Sequence, residues 1–198
     1  MTDFSELLRD CHERGWTLAT SGNFSLVTQR NPLRLEVTPS GVDKLKLSKT
    51  ALVGVDGETG LPLDGRKKPS EETLLHVMVA RHTEAGAIVH IHSVWNTLLS
   101  DRFAGEGGFT LSGYEMLKGL SSVKTHEHRE WIPIFENSQN IPDLANQIKQ
   151  LLIEKPSVHA FLLRKHGLYT WGKDLEEAKR HLEVFEFLFE AEGRLPFK

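Results

Sequence analysis

Short apolar runs alternate along the chain with longer stretches whose apolar positions recur every third or fourth residue. Phe4, Leu7, Leu8 and Cys11 fall on one face of a helix, with Asp3 and Glu6 as a capping pair and Gly15 placed to end it. Phe24-Ser25-Leu26-Val27-Thr28, Leu35-Glu36-Val37-Thr38 and Ala51-Leu52-Val53-Gly54-Val55 then predict short strands, closed by the Asp56-Gly57 turn. No helical stretch separates these strands, so they are expected to pair antiparallel, which excludes a simple doubly wound sheet. Ser70, behind Pro69, is the expected N-cap of the next helix, with Glu71 and Glu72 in a first turn where the helix dipole favours acids. Leu74, Leu75, Val77, Met78 and Val79 form its buried side.

Ala87-Ile88-Val89-His90-Ile91-His92 is apolar and β-branched, the character of a buried strand. Ser93 caps a helix through Leu99, Ala104–Gly108 reads as a loop, and Tyr114–Lys118 as a short helix. Trp131–Phe135 returns to strand character, with Pro133 pointing to an edge position. Pro142 opens an amphipathic helix bearing Leu144, Ile148, Leu151 and Leu152, which stops before Pro156. Strands at Val158–Leu163 and Tyr169–Gly172 precede a closing helix with Asp174 and Glu177 as its capping box. Leu175, Ala178, Leu182, Phe185 and Leu188 line that helix, and Phe187 and Phe189 widen the face toward an expected subunit contact. With no repeat, linker or low-complexity stretch, the pattern predicts one α/β domain over residues 1–198.

The chemistry starts at the central strand. Strand side chains alternate faces, so His90 and His92 point the same way, one pleat apart, and can grip one metal ion. His166 ends the apolar run Ala160-Phe161-Leu162-Leu163 and supplies a third ligand. Three imidazoles with an open position are the arrangement of a catalytic metal, not a closed structural one. His126-Glu127-His128 repeats the His-x-His spacing, but Lys124, Thr125, Arg129 and Glu130 surround it, so it reads as a solvated segment without an apolar wall. Thr20-Ser21-Gly22-Asn23 and Pro39-Ser40-Gly41-Val42-Asp43-Lys44 are small-residue loops that offer backbone N–H groups to an anion. Each alone is also an ordinary turn. Two in one domain, with the Lys44 cation, predict a phosphate pocket.

Composition narrows the field. A chain of 198 residues supports one sizeable core, and 39% apolar and 26% charged residues are ordinary for a globular domain. A net charge of −3 gives no electrostatic case for nucleic acid or an anionic membrane as partner. The apolar runs are strand length, and the N-terminus lacks a basic region followed by an apolar one, so a cytoplasmic location is expected. Cys11 is the sole cysteine, which excludes an intrachain disulfide and a thiolate metal site.

The ordered motifs Ser21-Gly22-Asn23, Thr38-Pro39-Ser40-Gly41, Pro69-Ser70-Glu71-Glu72, His90-Ile91-His92-Ser93 and Lys165-His166-Gly167 resemble the class II aldolase/adducin family across almost the whole chain. Within it, Tyr114–Gly119, Pro133–Asn137 and Arg164–Gly172 are similar to the members that remove water from a phosphorylated methylthio-pentulose in methionine salvage. The resemblance implies a three-layer α/β/α sandwich with a largely antiparallel central sheet, assembled as a homotetramer with sites near subunit interfaces. It implies one Zn2+ per subunit on His90, His92 and His166, with the substrate phosphate on Gly22, Asn23, Ser40 and Gly41 and with Ser70 nearby. Zinc would polarise the C2 carbonyl and stabilise the enediolate formed when C3 loses its proton. Glu115 is the implied acid/base for the departing C4 hydroxyl, and shielding by Tyr114 and Met116 predicts a raised pKa for it. Sugar-phosphate aldolases of the family place their acid/base where Glu72 stands, so aldol cleavage or epimerisation through the same enediolate is the alternative. Cytoskeletal and regulatory members of the family form a third class, which requires a lost metal site. All three histidines are present here.

Overall fold

A computed structural model describes residues 3–47, 51–65 and 67–196. Eight strands form one sheet: β1 (Asn23–Arg30), β2 (Leu33–Val37), β3 (Val53–Asp56), β4 (Ala87–Ile91), β5 (Gly108–Ser112), β6 (Arg129–Phe135), β7 (Ala160–Leu163) and β8 (Gly167–Gly172). Their order is β3-β2-β1-β4-β8-β7-β6-β5. β6 and β7 run parallel, and the other neighbours pair antiparallel. The helices are α1 (Phe4–Glu13), α2 (Thr73–His82), α3 (Val94–Arg102), α4 (Ile141–Glu154) and α5 (Leu175–Arg194).

Strand alternation sorts the apolar side chains into two cores. On one face Val89, Ile91 and Leu168 pack with Phe4, Leu7 and Leu8 of α1, Leu99 of α3, and Leu182, Phe185 and Phe189 of α5. On the other Val37, Val55, Ile88, Phe161 and Tyr169 pack with Leu75, Val77 and Val79 of α2 and Leu144, Ile148 and Leu152 of α4. Helices thus cover both faces of a mostly antiparallel sheet, the three-layer sandwich expected from the sequence. Among the described residues no helix is long and apolar enough to cross a membrane.

Several local expectations need correction. Ser70 does not cap α2; the helix starts at Thr73 with Glu72 in the cap position. The reason is a competing contact. Pro39 bridges Pro69, and the Ser40 N–H donates to the Lys68 carbonyl at 3.1 Å, so residues 68–70 stay extended against the neighbouring loop. β5 was hidden from periodicity because it is a short edge strand opening on a glycine. That leaves β6 interior, with Pro133 just before the β7 pairing begins at Ile134, so the proline does not mark an edge strand. Tyr114–Lys118 is a 3-10 turn over Glu115–Gly119. Phe189 is fully buried while Phe187 is exposed, so only Phe187 remains for an external contact.

Candidate metal centre and anion cavity

β4 lies between β1 and β8 in the middle of the sheet, and its C-terminal end carries the first two histidines. His90 is fully buried, stacked on Tyr169 of β8 with ring centroids 4.0 Å apart. His92 stands one residue past the strand, its N–H held by the Trp16 carbonyl at 2.9 Å. His166 comes from the β7–β8 hairpin, where Lys165 takes a left-handed backbone (φ 54°). α3 anchors this turn: the Lys165 N–H donates to Ser100 Oγ at 3.0 Å, and Arg164 Nε donates to Asp101 Oδ1 at 2.9 Å.

The three rings meet edge to face, with centroids 4.5 to 5.0 Å apart. His90 Nδ1 donates to the Leu168 carbonyl at 3.0 Å, and His166 Nδ1 lies 3.1 Å from Asn137 Oδ1, an acceptor. Both contacts put the ring proton on Nδ1 and leave the Nε2 lone pair for a metal. His90 Nε2 and His92 Nε2 are 2.8 Å apart. Burial and the neighbouring imidazoles push His90 well below the usual histidine pKa and His92 down to about 4, so both are neutral, as ligands must be. Among the described residues this is the one group of three or more His, Cys, Asp or Glu side chains placed to hold a metal ion. The donor set fits one.

Gly167 follows His166 for a packing reason. A Cβ there would lie 2.8 Å from His90 Cε1 and 2.9 Å from His92 Cδ2, and closer still to the Ile91 carbonyl oxygen. Gly167→Ala is therefore expected to displace two imidazoles and weaken metal affinity about 10–100-fold, measured by competitive titration with a chromophoric chelator. Unchanged affinity would contradict the placement of these rings.

A cavity of about 330 Å³ opens beside the histidines. The structure brings Gly22, Asn23, Ser40, Gly41, Lys44, Ser70 and Glu72 into its wall together with His92 and His166. Gly22 adopts φ +73°, and a Cβ on it would lie 2.6 Å from the His90 carbonyl oxygen, so the first loop lies directly against the histidine strand. Ala19 and Thr20, just before it, also take left-handed backbone, at φ 52° and 65°. Lys44 is buried and ties the loops together, its ammonium donating to Thr20 O at 2.8 Å and Val42 O at 3.2 Å. That uses two of its three N–H groups. Burial lowers its pKa.

Glu72 is the carboxylate beside the three histidines. Its oxygens lie 3.4 Å from His90 Nε2 and 3.6 Å from His166 Nε2. Asn23 Nδ2 donates to Glu72 Oε2 at 2.7 Å, and burial together with the Glu72 charge keeps the Tyr169 hydroxyl protonated, its pKa well above the usual value. Behind Asn23 lies His76, fully buried on α2 and neutral because burial pushes its pKa down to about 3.

Glu115 is elsewhere. Its turn packs through Leu117 into the α1/α3/α5 core, on the opposite side of the sheet from α2 and α4, and it is not in the cavity wall. The expected shielding is absent: the Tyr114 hydroxyl donates to Glu192, Met116 is exposed, and the Glu115 side chain is 73% exposed. Lys118 donates to its carboxylate and lowers its pKa, opposite to the rise expected from the sequence. His126 and His128 form no metal group; His126 is exposed near Glu115, and His128 pairs with buried Glu130 at 2.7 Å.

The sequence reading missed Asn137, Gly167, His76 and Tyr169 as parts of this site. His76 carried a signal of its own, a lone polar residue inside the apolar run Leu74–Ala80.

A family model described as "Class II Aldolase and Adducin N-terminal domain" matches residues 2–192. A "Methylthioribulose-1-phosphate dehydratase" of Sorangium cellulosum (strain So ce56) is 44% identical over 186 residues, covering 93% of this chain and 87% of that protein. The protein of the same description from Methylococcus capsulatus (strain ATCC 33009 / NCIMB 11132 / Bath) is also 44% identical, over 92% of this chain and 87% of its own length. Among solved structures, the l-fuculose-1-phosphate aldolase from Thermus thermophilus superposes with a TM-score of 0.75 at 25% identity, covering 96% of this chain and 91% of that one.

Proposed function

The chain belongs to the class II aldolase and adducin family, and from that premise we propose that it dehydrates 5-methylthioribulose 1-phosphate to 2,3-diketo-5-methylthiopentyl 1-phosphate, as a hydro-lyase of methionine salvage. One observation carries the site chemistry: three imidazoles cluster, two of them in the wall of a cavity that also holds a carboxylate and two small-residue loops. The likeness to dehydratases over most of the chain carries the choice of water loss. Diketone formation by the zinc-loaded protein from that substrate is the test.

His90, His92 and His166 would hold the metal, and Zn2+ suits three imidazoles with an open position. Bound there, it supplies Lewis acidity at a carbonyl oxygen. The backbone N–H groups of the Gly22-Asn23 and Ser40-Gly41 loops, with Ser70 and the remaining Lys44 N–H, would take the phosphate and so fix the pentulose chain against the histidines. Glu72, held by Asn23 beside the rings, is the group placed to accept the C3 proton. The C4 hydroxyl must leave as water and needs a proton donor. Glu115 can serve only from a second copy of the chain, because its own turn faces away from its own cavity. That requirement agrees with a homotetramer whose sites lie near subunit interfaces.

Ser40→Ala is expected to raise KM a few-fold with kcat retained, since a phosphate contact worth about 0.5–1.5 kcal/mol acts alike in ground and transition states. Inorganic phosphate should inhibit competitively in steady-state assays. Equal turnover of the unphosphorylated ketose would contradict the phosphate assignment. The observation that favours the alternative, C–C cleavage, is the place of Glu72 beside the histidines, the position to which the family resemblance assigns the acid/base of sugar-phosphate aldolases.

A further inference from the structure

We propose that His76, which does not line the cavity, is a positioning residue that acts through Asn23 to fix the Glu72 carboxylate beside the metal ligands. The inference rests on reading Glu72 as the proton acceptor. It deepens that reading by adding two residues, His76 and Ser25, that have no contact with substrate in it.

The contacts form one directed chain. Ser25 Oγ lies 2.8 Å from His76 Nδ1, His76 Nε2 meets Asn23 Oδ1 in a short contact, and Asn23 Nδ2 donates to Glu72 Oε2 at 2.7 Å. A carboxylate only accepts, so the NH2 side of the Asn23 amide must face Glu72 and its oxygen must face His76. That oxygen needs a donor, which puts the His76 proton on Nε2. Nδ1 is then an acceptor, filled by the Ser25 hydroxyl. Every proton in the chain points toward Glu72.

The sheet explains why this chain exists. Asn23 and His90 are cross-strand partners of β1 and β4, and Ser25 follows Asn23 on the same face of β1. His76 packs edge-on against Tyr169, at 5.6 Å between centroids, and Tyr169 in turn stacks on His90. One buried imidazole therefore sits against the ring that backs one metal ligand and against the amide that orients the carboxylate. Any buried histidine needs partners on both ring nitrogens; this one takes as its Nε2 partner the same amide that holds Glu72. Without that donor, the Asn23 amide is free to rotate and the Glu72 carboxylate loses its fixed partner.

The test is a double-mutant cycle of His76→Gln and His76→Asn with Glu72→Gln, following kcat, KM, metal content and thermal midpoint. A glutamine amide replaces the Nε2 donor, whereas an asparagine amide reaches only the Nδ1 position. H76Q should keep kcat within a few-fold. H76N should lose about 10–100-fold in kcat with KM and metal content little changed, the range for groups that orient a reacting side chain. In the E72Q background H76N should cost almost nothing further. Ser25→Ala, which leaves the core volume nearly intact, should show the same dependence on Glu72 at smaller size, and it decides the matter if H76N does not fold. Equal losses from H76N or Ser25→Ala in both backgrounds would overturn the positioning role and leave His76 a packing residue. An E72Q enzyme near wild type would overturn the reading of Glu72, and this inference with it.

Discussion

His166→Ala is expected to release the bound metal and to lower kcat by roughly three decades or more, with little change in fold. His166 sits at the tip of the β7–β8 hairpin, its side chain 19% exposed, so truncation leaves no sealed void in either core. His90 is the poorer choice, because it is fully buried against Tyr169 and its removal opens a cavity in the middle of the sheet. A Lewis acid at a developing oxyanion contributes several kcal/mol of transition-state stabilisation, and each 1.4 kcal/mol is about tenfold in rate. Elemental analysis of the purified variant should find well under one ion per chain where wild type holds about one. His126→Ala and His128→Ala should keep full metal content. Stoichiometric zinc in His166→Ala would remove this histidine from the site.

Glu115→Gln is expected to cost roughly 10²–10⁴-fold in kcat, yet to regain activity when mixed with an equally inactive His166→Ala protein. The reason is geometric. Each chain carries its imidazoles and Glu72 on the α2/α4 side of the sheet, and Glu115 on a turn packed into the opposite core. If a neighbouring copy completes the site, a Glu115→Gln subunit has a sound metal centre and lacks only a proton donor, which a His166→Ala neighbour still presents. Random reassembly of equal amounts should then restore roughly a quarter of the sites, since each needs one of four subunit pairings. Refolding or mild dissociation of the mixture, followed by activity and native mass measurement, reads the result. No recovery in verified mixed oligomers would show that Glu115 does not act across an interface, and would leave Glu72 as the sole carboxylate at the metal.

The cluster of three histidines was legible because its signal is local. A period of two places His90 and His92 together, and an apolar run ending in Lys165-His166-Gly167 delivers a third imidazole. The two loops of the cavity wall were legible for the same reason, as small-residue turns with fixed spacing. Glu72 was half hidden, since an acid at a helix start is fully explained by the helix dipole. Only the pairing of Asn23 with His90 across β1 and β4 reveals that it faces the rings. Asn137, Gly167 and Tyr169 matter because β8 lies next to β4 and β6 ends beside the hairpin, contacts set by strand order and not by any local pattern. Glu115 shows the converse. Its motif is readable, but which side of the sheet it occupies depends on Leu117 packing under α5, and no period in the sequence encodes that. The antiparallel sheet followed from strands without intervening helices, while the parallel β6–β7 pair required α4 to be seen as a crossover.

The most direct measurement is to incubate the zinc-loaded protein with 5-methylthioribulose 1-phosphate and follow substrate and product masses with time. The expected product is lighter than the substrate by one water and carries the absorbance of a conjugated diketone after enolisation, with all five pentulose carbons retained. The same assay on His166→Ala should show no product above background, and on Glu72→Gln a slow but measurable residual rate. Carbon fragments would instead mark an aldolase, and a new sugar phosphate of unchanged mass an epimerase; either would contradict the dehydratase reading.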